Sequence, residues 1–465
     1  MFMDGIDAET VSRRLLVLVI ISLVVLGGVG AAGPVVGPGT TAVTDRYTQS
    51  PPATCIDSAQ PPTADAREAG NVTGTVHRLD NGTIEIRYTG TPATEFSVTA
   101  PSGLNIVATN GFDTADDTTL LGGPSGPTWN RTATEHWIRF RSGSRYPGGP
   151  DWQFAPVPDH GRGNVTLQTA AAGYIGPHVL YLGAYTQQSI SAGCQNITAV
   201  VPEKAAAWLD VEQRLVDLRF AAESLDSGHT YERVRVFVSP KRPASSDRSV
   251  GGFRLRDAST VVVHDYSPVR PSTVTWLHEY VHTHQALDRQ PSATWTREAI
   301  ATYLSVRLAV EAGRISPRKY DAWLARGSGD SRESLTSAPG GADVTYYRGA
   351  ALLASIESET WQHGRTTVGD LLGYLNAEQN PGQAAIDRFL RESGGLSDAT
   401  TTEFHDQATG RMSISPPYLL GPSWLSPSGR WVLGYTVTAH TAPLYFVFAG
   451  ILGSMLGLER TSCLR

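Results

Sequence analysis

Apolar and polar residues alternate in short runs from about Ala66 to Ala199. The runs are G-T-V-H-R-L, G-T-I-E-I-R-Y-T, E-F-S-V-T-A, H-W-I-R-F-R, N-V-T-L-Q-T and H-V-L-Y-L-G-A-Y, separated by Gly, Pro, Asn and Asp. Period-two alternation between turn residues predicts strands, so residues 66–200 read as an antiparallel, sandwich-like β domain. The period then changes. Glu203 to Leu225 carries apolar residues at helical spacing (Trp208, Leu209, Leu215, Leu218, Phe220), and R-V-R-V-F-V from Arg233 and the run Ser259–His264 read as strands. Helical patterns follow over Thr273–Leu287, from Thr294 onward, and over Ser316–Leu324, Gly349–Glu357, Val368–Asn376 and Ala384–Glu392. The fold class is therefore α+β, with a second domain over 201–412 in which strands precede helices. Pro-, Thr-, Gly- and Ser-rich stretches at 34–65 and 413–440 read as linkers.

Both ends of the chain are apolar. Arg13 and Arg14 precede an uninterrupted run from Leu15 to Ala32, about 27 Å long as a helix and close to the ~30 Å hydrocarbon thickness. Residues 1–33 are expected to be an uncleaved anchor or a long signal peptide. Pro443 to Leu458 is also apolar, and 441–459 is expected to be a transmembrane helix, the alternative being a buried C-terminal helix. Arginines outside both segments would put both termini in the cytoplasm and the body outside the cell membrane. Sequons at Asn71, Asn81, Asn130, Asn164 and Asn196 agree with export and predict glycosylation. Cys55 and Cys194 bracket the β domain and are expected to form a disulfide, leaving Cys463 cytoplasmic and reduced.

Composition narrows the function. A chain of 465 residues that is 40% hydrophobic, with ten tryptophans, has material for well-formed cores. A net charge of -6, without clustering, offers no footprint for nucleic acid.

The chemistry concentrates between Trp276 and Tyr303, W-L-H-E-Y-V-H-T-H-Q-A-L-D-R-Q-P-S-A-T-W-T-R-E-A-I-A-T-Y. His278 and His282 are four apart, so a helix presents both rings to one ion. Glu279 lies near the same face and is placed to take a proton from water beside the metal. A polar turn at Arg289–Ser292 leads to a second helix on which Glu298 sits among apolar neighbours, where a carboxylate needs a partner. Zinc would be one. No cysteine lies nearby, which disfavours a closed structural site. His284 would face away from the metal on a regular helix.

H-E-Y-V-H followed by W-T-R-E-A-I-A-T-Y resembles the gluzincin metallopeptidases, whose usual pattern is HExxH and then W-x-x-E-G-x-A-x-Y. The resemblance is to the peptidase MA-like and M1–M61-type catalytic domains and covers roughly Pro202 to Gly410. It implies Zn2+ held by His278, His282 and Glu298, with Glu279 as general base. Ala299 replaces the family's glycine, and the His282–Glu298 spacing is shorter than in M1 aminopeptidases. T-Y-Y-R-G-A-A-L-L resembles the Y-x-K-G-A-x-x-L helix start, which implies an oxyanion donor at Tyr346, with Tyr347 the other candidate. The G-x-M-E-N segment that binds a free amine has no counterpart in Gly251–Tyr266, so aminopeptidase specificity is not implied. Ser259–His264 resembles the edge strand along which these enzymes align extended peptides. The expected protein is an exported, membrane-anchored zinc metallopeptidase acting on peptides or proteins. The alternative is a catalytically idle surface module on a peptidase fold.

Overall fold

The computed structural model describes Cys55 and, with short breaks, residues 72–415. The strands are β1 (Val72–Arg78), β2 (Thr83–Gly90), β3 (Leu104–Asn110), β4 (Phe112–Asp113), β5 (Thr128–Trp129), β6 (His136–Ser142), β7 (Gln153–Pro156), β8 (Val165–Thr169), β9 (Gly173–Ile175), β10 (Val179–Leu182), β11 (Tyr185–Ala192), β12 (Gln195–Pro202), β13 (Arg233–Ser239), β14 (Gly252–Arg254) and β15 (Thr260–His264). The helices are α1 (Glu203–Ala206), α2 (Val211–Ser224), α3 (Thr273–Thr283), α4 (Trp295–Glu311), α5 (Pro317–Ala325), α6 (Gly349–His363), α7 (Val368–Ala377), α8 (Gln383–Glu392) and α9 (Asp398–Ala408). The terminal apolar segments lie outside the described residues, among which no helix is long and apolar enough to cross a membrane.

Three main sheets are stacked, and helices pack on the outer face of the third. The first runs β3-β6-β2-β1-β8, the second β7-β10-β9 and the third β11-β12-β13-β15-β14. Alternation explains how they stack. Leu180 and Leu182 of β10 join the core under the first sheet, while Val179 and Tyr181 point the other way, onto Val200, Phe237 and Val262 of the third. The opposite face of the third sheet, Val234, Val236, Val238, Val261 and Val263, packs against the helices. Strands buried on both faces read as continuous apolar runs, as T-V-V-V-H of β15 does.

Strand pairing refines three expectations. The N-terminal domain is antiparallel except that β1 and β8 pair in parallel. The hairpin β11–β12 pairs through β12 with β13, so the change of sheet follows β10 at Gly183, whose φ is 146°, and not residue 200. β15 is an interior strand between β13 and β14; among the described residues β14 is the edge on that side of the sheet and β11 the edge on the other. The expected helix from Glu203 is also two pieces, because Asp210 caps α2 by accepting from the Gln213 amide.

Cys55 and Cys194 are joined as a disulfide with Cα atoms 5.8 Å apart. Two of the five sequon asparagines, Asn130 and Asn196, are described. Asn196 is exposed at the start of β12, whereas the Asn130 amide donates to Asp113 (2.8 Å) and its oxygen accepts from Thr132. Asn71, Asn81 and Asn164 lie outside the described residues.

One titration in the β domain bears on stability. His160 contacts the Tyr88 hydroxyl (3.1 Å) and stacks on Phe96. Burial holds its imidazole down to about 4, against a smaller raising effect of Asp159. The unfolded chain therefore binds the proton first, and stability falls as pH drops from about 6.5 to about 4. Thermal unfolding across that window is expected to be less pH-dependent in His160→Gln than in the wild type, by up to about 3 kcal/mol. Parallel curves for the two proteins would contradict it.

Candidate active site

Helix α3 forms because its apolar residues recur on one face: Trp276, Leu277, Tyr280 and Val281 are buried. Its first residue is fixed by a buried hub on α2. Asp217, 1% exposed, accepts from Arg314 (2.6 Å), Thr273 (3.4 Å) and Arg214, which also donates to the Thr273 hydroxyl. In mid-helix the Tyr280 hydroxyl donates to Gln195 at the tip of the β11–β12 hairpin. The helix ends at Thr283, four residues before the expected Leu287, where Arg254 of β14 donates to the carbonyls of His282 and Gln285. Such a cation offsets the negative end of the helix dipole.

Opposite α3, a 3-10 turn over Pro291–Ala293 leads into α4. The two helices bring three ligand atoms together. His278 Nε2 lies 3.2 Å from Glu298 Oε2, His282 Nε2 lies 3.3 Å from it, and the two ring nitrogens are 3.1 Å apart. This triangle suits one tetrahedral ion: donors about 2.0–2.1 Å from zinc at tetrahedral angles are separated by about 3.3 Å. No other trio of His, Cys, Asp or Glu among the described residues converges in this way. Burial pushes the Glu298 carboxyl up, but hydrogen bonds from His278 and His282 outweigh it and hold the group well below the usual carboxylate range.

Sequence reasoning missed the support behind these ligands. Gln285, fully buried, accepts at Oε1 from His282 Nδ1 (2.9 Å) and donates to the Arg297 carbonyl (2.8 Å). An acceptor on Nδ1 leaves Nε2 as the lone-pair nitrogen facing the site. Its place three residues past the second histidine was the available signal.

Glu279 is 4% exposed, and its Oε2 has no hydrogen-bond partner among the described residues. Burial pushes its carboxyl up to about 8; His278 and Arg254 pull it down and Glu298 raises it. An orphaned buried carboxylate oxygen is costly to stability, and a proton affinity near neutrality suits general-base work. Gly252 makes room for it. A Cβ there would lie 2.3 Å from the Val262 carbonyl and 2.6 Å from Glu279 Cγ. Gly252→Ala is therefore expected to displace Glu279 and lower kcat/KM for peptide hydrolysis by about 10²-fold with metal content unchanged. Wild-type kinetics in the variant would contradict this.

Tyr346 lies in a single π-turn, Val344–Arg348, directly before α6. Its ring stacks on His278 with centroids 5.5 Å apart. Burial first, then the charge of Glu298 and a hydrogen bond to it, raise the phenol so that it keeps its proton and remains a donor. Tyr347 turns outward and accepts from Arg326 (3.0 Å) beside Trp323, which separates the two candidates. Arg348 donates to the carbonyls of Gln407 and Met412 and ties the π-turn to the end of α9. Ala299 is accommodated because Gly349 faces it: a Cβ at 349 would lie 2.5 Å from that of Ala299. His284 is a core residue rather than a surface one, 1% exposed and edge-on to Tyr280 (4.9 Å), with burial holding its ring down to about 4.

No family profile and no curated protein matches the sequence. Solved structures do match. An aminopeptidase N family protein from Idiomarina loihiensis aligns with a TM-score of 0.52 at 12% identity, over 74% of this chain and 77% of that one. An M1 zinc metallopeptidase from Deinococcus radiodurans aligns with a TM-score of 0.40 at 14% identity, over 75% of this chain and 94% of that one. The first of these establishes the fold: this chain has the architecture of an aminopeptidase N family protein.

Proposed function

We propose that this protein is a zinc-dependent peptidase that hydrolyses peptide bonds by activating water. The observation that carries the reading is the convergence of His278, His282 and Glu298 with ligand atoms 3.1–3.3 Å apart, beside the orphaned oxygen of Glu279. Zinc bound there supplies a Lewis acid that lowers the pKa of water and polarises a carbonyl. Glu279 removes the proton from the attacking water and later delivers it to the leaving amine. Tyr346 donates its hydroxyl proton to the carbonyl oxygen as negative charge develops there. Gln285 holds the His282 imidazole in register through Nδ1.

Extended peptides would pair with β14, the edge strand next to Glu279. Export and anchoring at the cell membrane, with the site outside, complete the reading. The apolar terminal segments, the five sequons and the Cys55–Cys194 disulfide support it. The rival, an idle surface module, has no use for a buried base without a partner. The test is a fluorogenic peptide panel, with blocked and free amino termini, run with and without a chelator alongside metal analysis. About one zinc per chain and chelator-sensitive cleavage are expected; metal-free protein that leaves every peptide intact would favour the rival.

A further inference from the structure

A second concentration of charge adjoins the metal site. Arg254 on β14, Arg289 after α3 and Arg297 on the first turn of α4 gather where the end of α3 meets the start of α4. Contacts fix their backbones and two of the side chains. Arg254 donates to the carbonyls of His282 and Gln285, Gln285 donates to the carbonyl of Arg297, and Arg289 donates through Nη1 to Thr296. Arg289 Nη2 is buried without a hydrogen-bond partner among the described residues. Neither Arg289 nor Arg297 makes an ion pair with a described carboxylate; Glu298, next in sequence, is held by the two histidines. Arg289 is within electrostatic reach of both other guanidinium groups.

Like charges held together in partial burial disfavour one another, and an anion placed among them relieves the repulsion. The positive end of the α4 dipole adds to the same field. Guanidinium groups match carboxylates through paired N–H donors. The cluster is one side chain from His282, through Gln285, and touches the edge strand along which a peptide would lie. We infer that Arg289 and Arg297, backed by Arg254, form a subsite for a carboxylate of the bound peptide. The carboxylate comes from an acidic side chain or from a free C-terminus, and the subsite directs the enzyme to anionic peptides. This inference rests on the peptidase reading for its substrate, although the subsite itself needs no turnover.

Binding to the full-length Glu279→Gln protein in detergent separates the possibilities. Three fluorescent, N-acetylated peptides of equal length serve as probes: one with Glu and a C-terminal amide, its Gln isostere with an amide, and the Gln peptide with a free C-terminus. One of the two anionic peptides is expected to bind at least about tenfold tighter than the neutral one, and which one does so identifies the source of the carboxylate. Arg297→Gln is expected to bring that ratio to about one, while Arg297→Lys keeps part of it. Affinities within twofold for all three probes, absence of binding by any, or a preference surviving both Arg297→Gln and Arg289→Gln would overturn the subsite. If wild-type protein cleaves no peptide but the preference stands, the peptidase reading fails and the anion site does not.

Discussion

Glu279→Gln is expected to lower kcat for peptide hydrolysis by about 10³-fold, within the range that a positioned general base contributes, and to leave zinc content unchanged. The amide keeps the shape of the buried side chain but cannot take up the water proton. The contrast with the ligands is what makes the test specific. Glu279 sits on the same turn as His278, yet its Oε2 is buried with no hydrogen-bond partner among the described residues. Removing the carboxylate also removes a burial cost, the same cost that pushes the group up to about 8. The variant is therefore expected to be no less stable to heat than the wild type. Activity loss with intact metal and undiminished stability is a combination that a structural role for Glu279 would not produce. Full cleavage by the variant would remove the base from the mechanism.

Glu298→Ala is expected to weaken zinc binding by more than the ~100-fold at the upper end of outer-shell substitutions, and to abolish hydrolysis with it. The reason is geometric. Two imidazoles four residues apart on α3 define an edge of the coordination sphere, and Glu298 is the group that closes it from a second helix. Without it no other described His, Cys, Asp or Glu converges on the two rings as a third ligand. Competition titrations with a chromophoric chelator measure the affinity directly. Unchanged affinity would mean that the third ligand lies elsewhere.

Much of this site was legible in the sequence, for a physical reason. The i, i+4 spacing of His278 and His282 and the apolar face of α3 are local properties, and a buried Glu298 within an apolar helix declares a need for a partner. Helices α5, α7 and α8 also lie where their apolar periodicity places them. What was illegible depends on tertiary neighbours. Asp217 is an ordinary helix carboxylate until Arg314, 97 positions later, meets it. Gly252 is one more glycine until Glu279 fills the space its missing side chain leaves. Helix α9 lies in the stretch expected to be helical but was not delimited, because D-A-T-T-T-E-F-H-D-Q-A buries Thr401 and Gln407 along with Phe404 and Ala408, so its face has little apolar contrast. The β11–β12 hairpin falls inside the span read as the β domain, but none of the alternating runs covers it and its allegiance was illegible, since the choice between two sheets is made by β13. Ser259–His264 was placed at the edge by the resemblance alone; its apolar run is that of an interior strand, and β14 covers it with three residues.

The measurement closest to the central claim is anomalous diffraction at the zinc absorption edge from crystals of the purified protein. A single peak is expected within coordinating distance of His278 Nε2, His282 Nε2 and Glu298 Oε2, on the side of Glu279 and the Tyr346 hydroxyl. Zinc-supplemented crystals with no peak between those three side chains, or with a peak only elsewhere, would contradict the account.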